Sequence, residues 1–432
     1  MRIAFHTLGC KVNQYETDAM ISKFVKNGYE IVGENDEADV YLVNTCSVTN
    51  MAERKSRQYI RRMKKKNEDA IVVVAGCYTQ LSADELKQMP EVDILVGTNE
   101  KADIVNYVEN FIKADEKFHE YIKEYDELKV YEELGITKPV DSRMRAFVKI
   151  QEGCNRFCSY CIIPYARGNV RSRDIDMVIE ECSQLISTGT KEIILTGINT
   201  ALCENLLEIL KRLDEMDGDF RVRLSSLEPT VVNKEYVKSL FKFKRLCHHL
   251  HLSVQSGSDA VLKEMNRSYN RTQYLDIVKE LRNFDKYYGL TTDIIVGFPG
   301  ETDKDFDDSL DIINKSMYVH THAFKYSKRK GTKAAVMPNQ VDDEIKKTRI
   351  DKLIEVGLQS SKAFFELNKG TVQKVLFEEY DEQLKAITGY TDNYIKVYLQ
   401  CDSDDAEKLI NQFVMVEMLD NNGEIVQVVE VK

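Results

Sequence analysis

Two hydrophobic periods alternate along the chain and divide it into four stretches. In the first, Ile3–Leu8, Asp39–Asn44, the β-branched run Ile71–Ala75 and Asp93–Val96 read as strands. Gln14–Asn27 and Ser56–Lys66 carry the spacing of amphipathic helices. Strands separated by covering helices predict an open parallel α/β sheet over residues 1–105. From Asn106 to about Ser142 the chain is rich in Glu, Lys and Tyr, with helical periodicity but little core. It reads as a helical linker, 106–142, ending near Pro139.

A second α/β series occupies 143–368. Its candidate strands are Ala146–Ile150, Glu192–Thr196, Arg221–Ser225, His249–Val254, Thr292–Val296 and His322–Tyr326. Helical patterns such as Met177–Ser187, Leu206–Met216 and Tyr274–Phe284 fill the gaps. Six strand–helix units predict an incomplete β/α barrel, a smaller relative of the eight-unit barrel. After a long helix, Asp342–Asn368, the period shortens to strands at Val372–Phe377, Ala386–Thr388, Ile395–Leu399, Phe413–Met418 and Ile425–Val429. With a hairpin turn at Asp420-Asn-Asn-Gly423, these predict a small β-barrel over 369–432.

A length of 432 residues fits two to four domains. No apolar run is long enough to cross a bilayer and no signal peptide is read at the N-terminus, so the expectation is no membrane and a cytoplasmic protein. Ten cysteines in that setting favour metal binding or chemistry over disulfides. The net charge of −11 opposes a nucleic-acid partner, but the charge is unevenly spread.

Cys154-x3-Cys158-x2-Cys161 follows the first barrel strand, in a loop at the carboxyl mouth where barrel enzymes keep their chemistry. Three thiolates this close can hold three irons of a [4Fe-4S] cube and leave the fourth open. Zinc or free core cysteines are the alternatives. Zinc wants four ligands, and the nearest fourth cysteine is Cys182. A second set is scattered in sequence but alike in context, since Cys10, Cys46 and Cys77 each follow a strand by two residues. Strand ends of a parallel sheet converge on one edge, so the three thiols could meet there. Separate burial as core cysteines is the other reading.

The triplet, with Tyr160 before its last cysteine, resembles the radical S-adenosylmethionine superfamily. Together the two sets resemble the methylthiotransferases of that superfamily across essentially the whole chain. The motifs Leu8-Gly-Cys-Lys-Val-Asn-Gln-Tyr-Glu16, Asn44-Thr-Cys-Ser-Val-Thr-Asn50 and Gly76-Cys-Tyr-Thr-Gln80 look most like the branch acting on threonylcarbamoyladenosine at position 37 of tRNA. The resemblance implies two [4Fe-4S] clusters, an auxiliary one on Cys10, Cys46 and Cys77, and a C-terminal barrel of the TRAM type. It also implies two uses of S-adenosylmethionine. One molecule methylates sulfur on the auxiliary cluster; another is cleaved at the Cys154 cluster to a radical that activates carbon 2 of the adenine. Sister branches act on isopentenyladenosine in tRNA or on a ribosomal-protein aspartate. A non-catalytic iron–sulfur carrier is a reading of another class. An electron donor such as a flavodoxin or ferredoxin and a monomeric state complete the expectation.

For S-adenosylmethionine the candidates are Tyr160, Thr196 and Gly197 at the second strand's end, Glu228, Gln255, Arg267 for the carboxylate, and Gly297 within Ile294–Gly300, which resembles the superfamily segment beside the adenine. Strand-end capping is the alternative for each. The loop after Gly197 is shorter than the family's usual one, and Cys203 within it is read as an unliganded thiol.

For RNA the candidates are Arg54, Lys55, Arg57, Arg61, Arg62, Lys64, Lys65 and Lys66 on the helix after Cys46, eight cations in thirteen residues. A solvated helix face is the other meaning of such a run. Lys325-Tyr-Ser-Lys-Arg-Lys330 is a second basic segment. Residues 370–432 hold 5 Lys, no Arg and 13 acids, which leaves the last barrel acidic and suited to local contacts only.

Overall fold

The computed structural model describes residues 1–114, 117–135 and 144–431. Six parallel strands form the first sheet, in the order Glu30–Val32, Arg2–Thr7, Val40–Thr45, Ile71–Gly76, Ile94–Val96, His119–Tyr121. Successive residues of a strand face opposite sides. Tyr41 and Val43 accordingly enter one core with Tyr59, Ile60 and Met63 of helix Asn50–Lys66, while Val40 and Leu42 enter the other with Met20 and Phe24 of helix Lys11–Lys26. Glu30–Val32 and the helix Cys77–Lys87 are additional to the elements read from the sequence.

Residues 106–135 differ from the expected helical linker. Helix Ile104–Lys113 ends early, His119–Tyr121 adds an edge strand beside Ile94–Val96, and Tyr125–Glu127 makes one 3-10 turn. An edge strand is half solvated, so its composition reads like a polar helix face. The rest of the segment is a strap. Tyr131 donates to the carbonyl of Lys149 (2.9 Å), and Glu132 accepts from the amide of Ala102 (2.7 Å). The expected linker end near Pro139 lies outside the described residues.

The second sheet is an open arc of parallel strands, Arg145–Lys149, Glu192–Thr196, Arg221–Leu224, His249–Leu252, Gly289–Val296 and His320–Lys325. The third strand breaks at Ser225 and resumes as Ser226–Leu227, which pairs with the fourth. Leu250, Leu252, Leu290, Ile294 and Val296 point outward into one large core shared with the covering helices. Capping boxes at Asn270/Gln273 and Thr302/Asp305 start two of these helices.

The last unit is a closed five-stranded barrel, ordered Val372–Asp381, Ala386–Thr391, Lys396–Gln400, Val426–Glu430, Phe413–Asn421. A seven-residue helix, Ser403–Leu409, is additional to the sequence reading. This barrel docks at the strand starts of the arc. Arg221 and Arg223 share the buried carboxylate of Glu192 (2.5 and 2.9 Å) and donate to Asp392 and its carbonyl. The ring of Tyr394 stacks on His249 at 4.4 Å. The acidic unit therefore sits at the end of the arc opposite to the cysteine loop. No helix of the described residues is long and apolar enough to cross a membrane.

Candidate functional site

Cys154, Cys158 and Cys161 lie between Gln151–Glu152 and the short helix Ile163–Arg167, and all three line one cavity of about 370 Å3 at the carboxyl ends of the strands. The loop is pinned from the far side. Ser159 donates its amide to the carbonyl of Met265 (3.1 Å) and its hydroxyl to that of Glu264 (2.7 Å). Burial pushes the Cys154 thiol up to about 11, with the Cys158 charge adding to it. Burial pushes Cys161 up to about 12, again with Cys158 adding. Three thiols that oppose one another's ionisation form a donor set that a multivalent metal cluster relieves. No fourth ligand joins them among the described residues, and Cys182 is a fully buried core residue between Val178 and Leu185. A closed zinc site therefore does not fit, and an open-iron cluster does.

Tyr160, Glu228, Gln255 and Arg267 line this cavity as expected. Arg267 is already committed: it donates to Glu228 Oε1 (2.9 Å) and to the Tyr160 hydroxyl (2.6 Å). Glu228 also receives Asn199 Nδ2 (3.1 Å) and the Thr230 hydroxyl (2.8 Å), with Arg156 Nε at 3.1 Å. These bonds fix a carboxylate where an ammonium or ribose hydroxyl could be held. Three expected residues do not face the cavity. Thr196 is fully buried, a Cβ on Gly197 would meet Gln151 Oε1 at 2.8 Å, and one on Gly297 would meet Lys346 Cγ at 2.2 Å. Instead Ile198, Asn199 and Ile295 form the wall, because the residues just beyond or beside those positions turn inward. Cys203, in the short loop, is buried with its thiol toward the Ile150 carbonyl at 3.6 Å.

The second cysteine set also converges. Cys10 caps helix Lys11–Lys26, Cys46 precedes Thr49, the cap of helix Asn50–Lys66, and Cys77 opens helix Cys77–Lys87. Three strand-to-helix loops thus carry the cysteines, and the helix N-termini behind them favour an anionic cluster. A Cβ on Gly9 would lie 2.8 Å from Cys46 Cβ and 3.0 Å from its sulfur, so the first two loops touch through a missing side chain. Burial raises the Cys46 thiol to about 12, with Cys77 and then Cys10 adding. Val48 and Thr49, just after Cys46, line the same cavity as the barrel cysteines. The loop that carries Cys46 thus reaches the cavity of the barrel cysteines, although the three N-terminal cysteines do not line it.

A buried network joins them. Arg167, six residues after Cys161, points Nε at the Cys77 sulfur (3.2 Å) and donates to Glu16 (2.8 Å), Glu152 (2.8 Å) and Asn13 (2.7 Å). Lys149 bridges Glu152 (2.8 Å) and Glu16 (3.2 Å), and Lys101 lies 3.1 Å from Glu16. Burial opposes the guanidinium, yet Cys77, Glu152 and Glu16 hold Arg167 firmly charged. Glu16 and Arg167 both lie within or beside the quoted motifs, but nothing local marks them as partners.

The basic helix divides in two. Lys64 is half-buried against Asp93 (3.0 Å) and the Ala70 carbonyl (2.7 Å), and Arg57 reaches Tyr78 (2.5 Å) and Glu85 (3.0 Å). Arg61 lies 3.9 Å from Glu91, and Lys66 bonds the Asn35 carbonyl. Arg62 lies over the Tyr59 ring and donates to Asn35 (3.1 Å), remaining exposed. Arg54, Lys55 and Lys65 are exposed without ion pairs among the described residues. Arg329 of the second basic segment binds Asn50 and Glu53, so the two segments meet at the cavity rim.

Known protein families match the two cysteine-bearing stretches separately. A model of the radical SAM superfamily matches residues 148–313, and one described as uncharacterized protein family UPF0004 matches residues 2–97. The fold is shared with the radical S-adenosylmethionine methyltransferase TsrM from Kitasatospora setae (TM-score 0.59, 14% identity, 78% of this chain and 77% of that one). A threonylcarbamoyladenosine tRNA methylthiotransferase MtaB of Bacillus subtilis is 40% identical over 99% of this chain and 97% of its own. Its namesake in Thermotoga maritima is 38% identical over 91% and 90%. A tRNA-2-methylthio-N(6)-dimethylallyladenosine synthase of Alkaliphilus oremlandii is 35% identical over 98% and 92%. The chain belongs to the methylthiotransferase family of radical S-adenosylmethionine enzymes, whose cofactors are S-adenosylmethionine and [4Fe-4S] clusters.

Proposed function

We propose that this protein adds a methylthio group to carbon 2 of N6-threonylcarbamoyladenosine at position 37 of tRNA. The observation that supports it most is the cavity lined by all three barrel cysteines and by Val48 and Thr49, just after Cys46, in a chain so similar to relatives that carry that name. Cys154, Cys158 and Cys161 would hold one [4Fe-4S] cluster, and Cys10, Cys46 and Cys77 the other. When bound, the clusters and S-adenosylmethionine supply the sulfur, the methyl group and the reductive cleavage that replace a carbon–hydrogen bond of the base.

The chain's own residues position these groups. Arg156, Asn199 and Arg267 fix the Glu228 carboxylate beside the barrel cysteines, where it can hold a polar group of S-adenosylmethionine. Arg167 and Glu16 set the spacing of the two sets. Val48 and Phe324, 50% and 47% exposed, line the cavity as apolar surface for a base. Arg54, Lys55, Arg62 and Lys65 offer phosphate contacts along the helix that leads away from it. We also infer a cytoplasmic monomer reduced by a flavodoxin- or ferredoxin-type donor, the setting in which reduced thiols and tRNA coexist.

Mass spectrometry of tRNA nucleosides from cells lacking the gene tests the reading. The 2-methylthio derivative of threonylcarbamoyladenosine should vanish and its unthiolated precursor accumulate. Loss of the dimethylallyl derivative instead would transfer the protein to the sister branch.

A further inference from the structure

The last three barrel strands turn a grid of polar side chains toward the lumen. Alternation puts His249, His251, Ser253 and Gln255 inward on one strand, Thr291, Asp293 and Ile295 on the next, and His320, His322 and Phe324 on the edge strand. Ser253, Gln255, Asp293, Ile295 and Phe324 line the cavity; His322 stands in register with Asp293, and His251, Thr291 and His320 form the row below. Ligand atoms of His251, Asp293 and His322 all lie within 4.8 Å of one another.

Such a trio suits a divalent cation, but its bonding argues otherwise. His251 uses both ring nitrogens, one on Thr291 (2.9 Å) and one on Asp293 (3.1 Å). Asp293 also takes the Ser253 hydroxyl at 2.8 Å. The ammonium of Lys11 enters from the N-terminal domain; burial, then Arg223 and Arg145, lower its pKa, and Glu192, Asp293, His249 and His322 are also within electrostatic reach. A cation there would repel a metal ion. Lys11 and His322 have no hydrogen-bond partner in the protein among the described residues, and His320 stands beside His322 at 4.5 Å between ring centres.

This arrangement offers an ammonium, two imidazoles that burial keeps neutral and one ionised acceptor, around and just below Asp293 in the wall of the substrate cavity. A threonylcarbamoyl group carries a carboxylate, a carbonyl, a hydroxyl and amide hydrogens; a dimethylallyl group carries none. We propose that Lys11, His322, His320 and the Asp293–His251 pair form the polar patch that recognises the polar, carboxylate-bearing substituent on the substrate base and distinguishes it from an apolar one. The inference rests on the substrate reading above and adds the residues that enforce it.

The test uses the full chain with its clusters reconstituted and three anticodon stem–loop RNAs, bearing threonylcarbamoyladenosine, dimethylallyladenosine or plain adenosine. Fluorescence anisotropy gives the affinity ratio among them. Lys11→Met and His322→Phe, in different domains, should each lower the preference for the threonylcarbamoyl RNA by about tenfold, as expected for a lost charge-assisted or buried hydrogen bond. Lys11→Arg should keep it. Iron content and melting temperature equal to the parent's identify the variants that fold, and either one suffices. If the parent prefers the threonylcarbamoyl RNA and both variants keep that preference in full, the inference falls alone. If the parent shows no preference, the substrate reading falls and the inference with it. Stoichiometric zinc that disappears in His322→Phe would also overturn it, since the patch would then be a metal site.

Discussion

Arg167 shows what a single side chain contributes here. It is fully buried, shared by residues of two domains, and aimed at a cysteine sulfur. Removing one partner of a buried charge network leaves the others uncompensated, at a cost of about 3–5 kcal/mol. Arg167→Met should therefore lower the melting temperature markedly and loosen the N-terminal domain, seen as faster proteolysis between the domains. A variant as stable as the parent would show that Glu16 and Glu152 need no such partner. Nothing local in the sequence announced this residue, because Glu16 lies 151 positions away. The cysteines were legible for opposite reasons. Cys154, Cys158 and Cys161 are close in sequence, and Cys10, Cys46 and Cys77 repeat one position relative to a strand. Gly197 shows the limit: strand ends can be read from periodicity, but not the direction in which a Cα–H points, here toward Gln151.

At the scale of elements, the long periodic segments were legible and the short or edge ones were not. The six barrel strands lie close to their expected places, whereas His119–Tyr121 and Ser403–Leu409 are too short and too polar to stand out. Cation runs are similarly ambiguous, since periodicity cannot show that Lys64 is spent on Asp93. The better RNA test changes Arg54, Lys55, Arg62 and Lys65 to glutamate. Affinity for tRNA should fall strongly and its salt dependence should flatten as counterion release is lost; an unchanged salt series would leave the helix a solvated face. The acidic barrel makes a separate prediction. Burial opposes ionisation of Glu192, but Arg221 and Arg223 hold its carboxyl well below the usual range. A depressed value contributes stability above the ordinary carboxylate value of about 4.3, lost as pH falls below it toward the folded value. Glu192→Gln should cost about 3–5 kcal/mol at neutral pH and flatten the acid limb of the stability profile. A Glu192→Gln variant that melts like the parent at neutral pH would refute the anchoring role.

Across the whole molecule, the work would be divided between the two cysteine sets. The barrel cysteines would serve cleavage of S-adenosylmethionine, and the N-terminal cysteines would serve transfer of the methylthio group. Replacing Cys154, Cys158 and Cys161 with alanine should leave roughly half the iron, as one of two clusters remains, and abolish 5′-deoxyadenosine formation. The reciprocal variant is the most direct measurement. Reduced Cys10→Ala/Cys46→Ala/Cys77→Ala protein, given S-adenosylmethionine and threonylcarbamoyladenosine-containing tRNA, is assayed by mass spectrometry for 5′-deoxyadenosine and for methylthiolated nucleoside. The account predicts the first product without the second. Methylthiolated nucleoside from that variant would contradict it.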